Sequence, residues 1–95
     1  NQQPRLIDLT TNRSFPITKA QSVMGRALSS DIAIEDLNVS RTHAEIRREN
    51  ANAWSVADLG STNGTLVNGR HIASTMLQEG DRITVGTTTF LFTFR

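Results

Sequence analysis

Three polar stretches of this chain hold the residue types that bind an anion. Gly25-Arg26 sets a guanidinium beside a glycine, and Ser40-Arg41 offers a hydroxyl and a second guanidinium. Gly60-Ser61-Thr62-Asn63-Gly64-Thr65 packs hydroxyls, a carboxamide and two glycines into one short segment. Each stretch is weak alone, because most surface arginines and hydroxyls are simply solvated. Together they contain an arginine fork, short hydroxyls and backbone N–H groups, which are the donors a phosphate monoester requires. The Gly60–Thr65 segment is poor core material and good material for a rigid loop.

Other chemistries fit less well. Ser40, His43 and Asp36 contain the atoms of a nucleophile, a base and an orienter. Ser40-Arg41-Thr42-His43 nevertheless lacks the G-x-S-x-G setting of a nucleophile elbow, so no catalytic residue and no enzyme activity is expected. His43 is expected to brace its own loop, and His71, after a turn, to be solvated. Two histidines and no cysteine give no metal-ligand spacing. Asp31, Glu35 and Asp36 are read as solvated carboxylates, and no cofactor is expected. Gly60–Thr65 lacks the Gly-Lys-Ser/Thr ending of a nucleotide phosphate loop and leads into a strand rather than a helix.

These loops need a scaffold, and the chain supplies strands. Alternation of apolar and polar residues is the dominant pattern, with no helical period. Strands are expected at 5–9, 14–18, 22–26, 32–35 and 42–48, then around Trp54–Val56 up to Asp58-Leu59. Pro16 marks its strand as an edge or a bulge. Asp36 to Arg41 is a polar loop with two apolar anchors, Leu37 and Val39. Thr65-Leu66-Val67, Asn68-Gly69 and Arg70-His71-Ile72 read as a hairpin, because Asn-Gly suits a turn with two positive φ angles. Met76 and Leu77 precede a turn at Glu79-Gly80-Asp81. A strand at 82–85 and a final strand from Thr88 follow, with Phe90, Phe92 and Phe94 on one face. About ten or eleven short strands with turn signals about every 8–12 residues predict an all-β, antiparallel sandwich or barrel.

Bulk composition narrows the partner. The 95 residues suit one domain over 1–95, and the opening Asn1 suggests a piece of a longer protein. A net charge of +1 gives no general basic field, so neither nucleic acid nor direct membrane contact is expected. Nine arginines against one lysine favour forked contacts to carboxylate or phosphate. Absence of cysteine permits a reducing compartment.

The motifs also resemble a family. Gly25-Arg26, Asp31-Ile32, Val39 to Ala44, Asp58 to Thr65, Val67-Asn68-Gly69 and Glu79-Gly80-Asp81 with Ile83 to Gly86 are similar, in order and spacing, to the forkhead-associated (FHA) domain. The resemblance implies a β-sandwich of two sheets and about eleven strands, with binding loops at one end. It implies binding of phosphothreonine in partner proteins, within a Ser/Thr kinase pathway and in the cytoplasm or another intracellular compartment. By this resemblance Arg26 and Ser40 bind the phosphate, Thr62 helps, Arg41 adds a second positive contact, and Asn63 holds the peptide main chain. Gly25, His43, Gly64 and Asn68 hold loops in place. Asn38, Thr87 and Thr88 are positions for sequence specificity. The family favours phosphothreonine over phosphoserine, attributed to a small pocket for the threonine methyl. Gly60–Thr65 thereby becomes a peptide-gripping wall, with the charge supplied by Arg26.

Two alternatives remain. One is a phosphorylation-independent module that uses a sheet face. The other is a secreted, sugar-binding sandwich, raised by sequons at Asn12, Asn38 and Asn63. Two of those sequons lie within the proposed site, where glycans would obstruct it, so they are read as accidental.

Overall fold

The computed structural model describes residues 3–95, which form eleven strands and no helix. In chain order these are β1 (Arg5–Asp8), β2 (Ser14–Pro16), β3 (Gln21–Gly25), β4 (Ile32–Ala33) and β5 (Ala44–Asn50). They continue with β6 (Ala53–Asp58), β7 (Thr65–Val67), β8 (Arg70–Ile72), β9 (Ser74–Leu77), β10 (Arg82–Val85) and β11 (Thr88–Thr93). One sheet has the order β2-β1-β11-β10-β7-β8 and the other β4-β3-β5-β6-β9.

The core follows from the alternation. Ala44 and Ile46 of β5 are fully buried while Arg47 is exposed. Phe90 and Phe92 of β11 point inward, and Phe94 packs edge-on against Phe92 with ring centroids 5.4 Å apart. Leu6, Met24, Val56, Ile83 and Val85 complete the sealed interior between the sheets. Each large apolar side chain buried this way contributes about 1.5–3 kcal/mol. Pro16 lies in β2, an edge strand, where its missing N–H breaks no ladder. Asn68 and Gly69 adopt φ of 52° and 83°, as the Asn-Gly hairpin requires.

Three expectations need correction. β3 and β4 pair in parallel, Met24 with Ile32 and Gly25 with Ala33, so the sandwich is not wholly antiparallel. A short loop suffices for this crossover because β4 has only two residues. β9 is a full edge strand, paired from Ala57↔Ser74 to Trp54↔Leu77, although its sequence does not alternate cleanly. Of the two anchors expected in the β4–β5 loop, only Val39 is buried; Leu37 is 92% exposed.

Candidate functional site

The three polar stretches meet at one end of the sandwich, and hydrogen bonds between loops hold them there. β3 ends at Gly25, and Arg26 begins the next loop. The Arg26 N–H donates to the Ser40 carbonyl at 3.0 Å, and Ala27 N–H to the Arg41 carbonyl at 3.2 Å. Gly25 is required by this close approach. A Cβ there would lie 2.1 Å from the Arg41 carbonyl oxygen, which is backbone and cannot turn aside.

The Arg26 side chain is fixed as well. Its Nε donates to the Val39 carbonyl at 3.0 Å, and both terminal nitrogens lack a partner among the described residues. The fork is therefore aimed and still available. Ser40 Oγ accepts the Thr62 N–H at 3.0 Å, which leaves its own proton free to donate. The Thr62 hydroxyl has no partner among the described residues. Asn63 Nδ2 donates to the Asn38 carbonyl at 2.9 Å, leaving its Oδ1 open. Arg41 lies on the same loop, exposed, and its guanidinium has no partner among the described residues.

His43 is fully buried beneath this surface. Its Nδ1 accepts the Ser40 N–H at 3.0 Å, so the proton sits on Nε2 and donates to the Gly64 carbonyl at 2.8 Å. One imidazole thus ties the Ser40 loop to the Gly60–Thr65 loop. His71 does more than face solvent: a Cβ on Gly64 (φ 85°) would lie 2.8 Å from its Nδ1. Asn68 is bonded at both amide atoms. Nδ2 donates to Asp81 Oδ1 and Oδ1 accepts the Arg82 N–H, each at 3.0 Å.

Two carboxylates emerge as organisers: Asp36, expected to be solvated, and Asp58, to which the sequence reading gave no role of its own. Asp58 accepts from Gly60 N–H at 3.0 Å, Ser61 N–H at 3.1 Å, Ser61 Oγ at 2.5 Å and Thr65 Oγ1 at 2.7 Å. Burial pushes its pKa up, but the hydrogen bonds from Ser61, Thr65 and Gly60 outweigh burial and leave it below the usual value. Asp36 accepts from Asn38 N–H and from Thr87 and Thr88 of the β10–β11 turn. Burial again opposes ionisation, and these donors win, lowering the pKa to about 2. Asp31 also binds within the fold rather than standing solvated, accepting Lys19 Nζ at 2.6 Å and Val23 N–H at 2.9 Å. An aspartate followed at two or three residues by Gly, Ser or Asn was the available signal, since such side chains cap their own turns.

The expectation that backbone N–H groups of Gly60–Thr65 face a ligand is corrected here. Those of Gly60 and Ser61 are held by Asp58, that of Thr62 by Ser40, and that of Gly64 by Ser61 Oγ at 2.9 Å. Of the loop's tip, the Asn63 N–H alone has no partner among the described residues, and the other free donors are side chains. The hydroxyls of Thr87 and Thr88 are likewise engaged on Asp36, whereas the Asn38 side chain is exposed. Leu28, 91% exposed, and Leu37 stand on the loops that flank Arg26, and neither figured among the sequence-derived site residues.

A two-sheet β-sandwich with a guanidinium, two hydroxyls and a carboxamide gathered on its loop end defines a loop-end binding module. The chain belongs to the FHA domain family, whose family model matches residues 22–86. It is similar to the glycogen accumulation regulator GarA of Mycobacterium tuberculosis, 44% identical over 72 residues that cover 76% of this chain and 44% of that protein. It is also similar to the oxoglutarate dehydrogenase inhibitor of Corynebacterium jeikeium, 43% identical over 76% of this chain and 49% of that protein. The chain therefore spans about half the length of these relatives. Among solved structures, Mycobacterium tuberculosis EmbR in complex with a low-affinity phosphopeptide superimposes with a TM-score of 0.94 at 30% identity, covering 99% of this chain and 25% of that one. A chain from a study of phosphothreonine-dependent FHA domain interactions gives a TM-score of 0.90 at 29% identity, covering 96% and 95%.

Proposed function

We propose that this protein is a binding module, not an enzyme, that recognises phosphothreonine in partner proteins downstream of Ser/Thr kinases in an intracellular compartment. The observation that carries the reading is the Arg26 guanidinium. It is anchored through Nε on Val39, with both terminal nitrogens free among the described residues, and its backbone N–H is bonded to the carbonyl of Ser40, whose hydroxyl in turn holds the Thr62 N–H. A charge-assisted contact of this kind contributes about 1.5–3 kcal/mol net. Ser40 and Thr62 add direction but little charge, so an unphosphorylated peptide should bind far more weakly. Asn63 Oδ1, without a partner among the described residues, would accept a main-chain N–H of an extended peptide. Arg41 adds charge, and the exposed side chain of Asn38 faces residues near the phosphothreonine. Leu28 and Leu37 offer apolar contact to the same flanks. Relatives named as regulators and inhibitors, and neighbours solved with phosphopeptides, support this reading.

An oriented phosphothreonine peptide library, compared with phosphoserine and unphosphorylated versions, tests it. Phosphothreonine should bind about tenfold or more better than phosphoserine, the discrimination one methyl group gives in a fitted pocket. Equal binding of phosphorylated and plain peptides would reject the reading.

A second reading has one specific observation in its favour. A groove of about 740 Å³ runs between the sheet edges β8 and β9, lined by Arg70, His71, Ile72, Thr75 and the half-exposed Met76. A phosphorylation-independent partner would use that edge, and its binding would survive phosphatase treatment.

A further inference from the structure

The β10–β11 turn is coupled to the proposed peptide site through one carboxylate. Asp36 Oδ2 accepts Thr87 N–H at 2.8 Å, Thr87 Oγ1 at 2.8 Å and Thr88 Oγ1 at 2.9 Å. Its Oδ1 accepts the Asn38 N–H at 2.9 Å. The Asn38 carbonyl then accepts Asn63 Nδ2, and the next carbonyl, that of Val39, accepts Arg26 Nε. Asp36 therefore fixes the backbone on which both Asn63 and Arg26 are aimed.

The turn has no slack. A Cβ at Gly86 would lie 2.7 Å from Val39 Cγ2, 2.8 Å from Asp36 Oδ2 and 3.0 Å from the Asn38 carbonyl carbon. Nor are the threonines of the turn equivalent. Thr89 Oγ1 is paired with Thr84 Oγ1 at 2.9 Å, and Thr88 and Thr89 are half-buried; Thr87 alone of the three is exposed.

We propose that Thr87 is a phosphorylation site that switches peptide binding off, because a phosphoryl group on its Oγ1 cannot share this turn with the Asp36 carboxylate. The inference rests on the phosphopeptide-binding reading of the loop cluster. A protein kinase transfers the γ-phosphoryl group of ATP to Thr87 Oγ1. The Oγ1–P bond forms, the bond to the ADP oxygen breaks with its electron pair, and the hydroxyl proton is released. Two changes follow. The donor to Asp36 is lost, and about −1.5 to −2 of charge arrives on an atom that had been in hydrogen-bond contact with a carboxylate. Repulsion drives the turn and the Asp36 segment apart, so the Asn38 and Val39 carbonyls no longer hold Asn63 and Arg26.

The test is a set of titrations with the tightest phosphothreonine peptide from the library. They compare wild type, Thr87→Val, Thr87→Glu, Asp36→Asn, the Asp36→Asn/Thr87→Glu double variant, and a chain ligated to carry phosphothreonine at position 87. Thr87→Val removes one hydrogen bond and should weaken binding by no more than about threefold. Thr87→Glu and the phosphorylated chain should weaken it about tenfold or more, the scale of a like-charge contact. In the Asp36→Asn background most of the Thr87→Glu loss should vanish, because the carboxamide can donate to the added carboxylate. Wild-type affinity in the phosphorylated chain, or a Thr87→Glu loss no larger than that of Thr87→Val, would overturn the switch. If Thr87→Glu does not fold, the phosphorylated chain decides, once its circular dichroism matches wild type. Failure of the wild type to bind would instead reject the phosphopeptide reading, and the switch with it.

Discussion

Asn63-Gly64 and Asn68-Gly69 flank the short strand β7, and the fold uses the same dipeptide in two ways. At Asn68 both amide atoms are bonded inside the fold, to Asp81 and to the Arg82 N–H, and the backbone is left-handed. Gly69 follows in the same region, with open space where a Cβ would be. At Asn63 the backbone stays outside the left-handed region, one amide atom reaches across to Asn38, and the other is free among the described residues. Gly64 backs this arrangement by giving its carbonyl to His43 and its N–H to Ser61. The first pair joins the β6–β7 loop, which crosses between the sheets, to the β4–β5 loop; the second closes a hairpin between neighbours. An exposed side chain with one amide atom unbonded can serve a ligand, and one with both amide atoms bonded inside the fold serves first the fold.

The largest effect should come from the hairpin. Asn68→Ala loses two hydrogen bonds and a residue type that tolerates positive φ, and should cost about 2–3 kcal/mol in urea unfolding. Phosphopeptide affinity of the folded variant should stay at the wild-type value. A variant fully folded yet deficient in binding would erase the distinction between the pairs.

Asn63→Ala should do the opposite. Affinity should fall about tenfold, about 1.4 kcal/mol, while phosphate dependence persists. Its unfolding free energy should fall by only about 0.5–1 kcal/mol, for the single exposed hydrogen bond to Asn38. Stability falling as far as for Asn68→Ala would mean that Asn63 is structural too.

The glycines sharpen the contrast on a smaller scale. Gly64→Ala and Gly69→Ala should each cost about 1–2 kcal/mol from positive φ alone. Only Gly64→Ala should also weaken peptide binding, and His71→Ala in that background should restore part of the loss by clearing the neighbouring ring. Equal affinities for the two glycine variants would contradict the assignment.

How much of this was legible follows from the range of each interaction. Local signals were readable: Phe90, Phe92 and Phe94 alternate, Pro16 marks an edge, and Asn68-Gly69 marks its turn. The ordered motifs around Arg26, Ser40 and Gly60–Thr65 located the loop cluster. The parallel β3–β4 pair was not readable, because two residues of β4 carry no pattern and the pairing is set by the rest of the sheet. β9 was missed because Ser74 to Leu77 becomes a strand by pairing with β6. Leu37 misled because hydrophobicity does not say which of two apolar loop residues turns inward. Asp36 looked like a solvated acid because two of its donor residues, Thr87 and Thr88, lie in the distant β10–β11 turn, whereas Asp58 binds only Gly60, Ser61 and Thr65 of its own loop, a local signal that was given no weight.

The smallest effect concerns acid. Asp36 and Asp58 have folded pKa values below the ordinary 3.8, Asp36 at about 2. Their stabilisation is complete above that ordinary value and is lost as pH falls through the folded values. Unfolding free energy should therefore decline between about pH 4 and about pH 2, and Asp58→Asn should flatten that decline. An unchanged slope in Asp58→Asn would mean that the β6–β7 loop is not held by its carboxylate.

On the proposed function, Arg26 would supply the charge and the Asn63 loop the grip. Calorimetric titration of Arg26→Ala with a library-selected phosphothreonine peptide tests it most directly, with circular dichroism and thermal melting as the check on folding. Arg26→Ala should lose measurable binding with the fold and melting temperature intact. Unchanged affinity in a folded Arg26→Ala protein would contradict it.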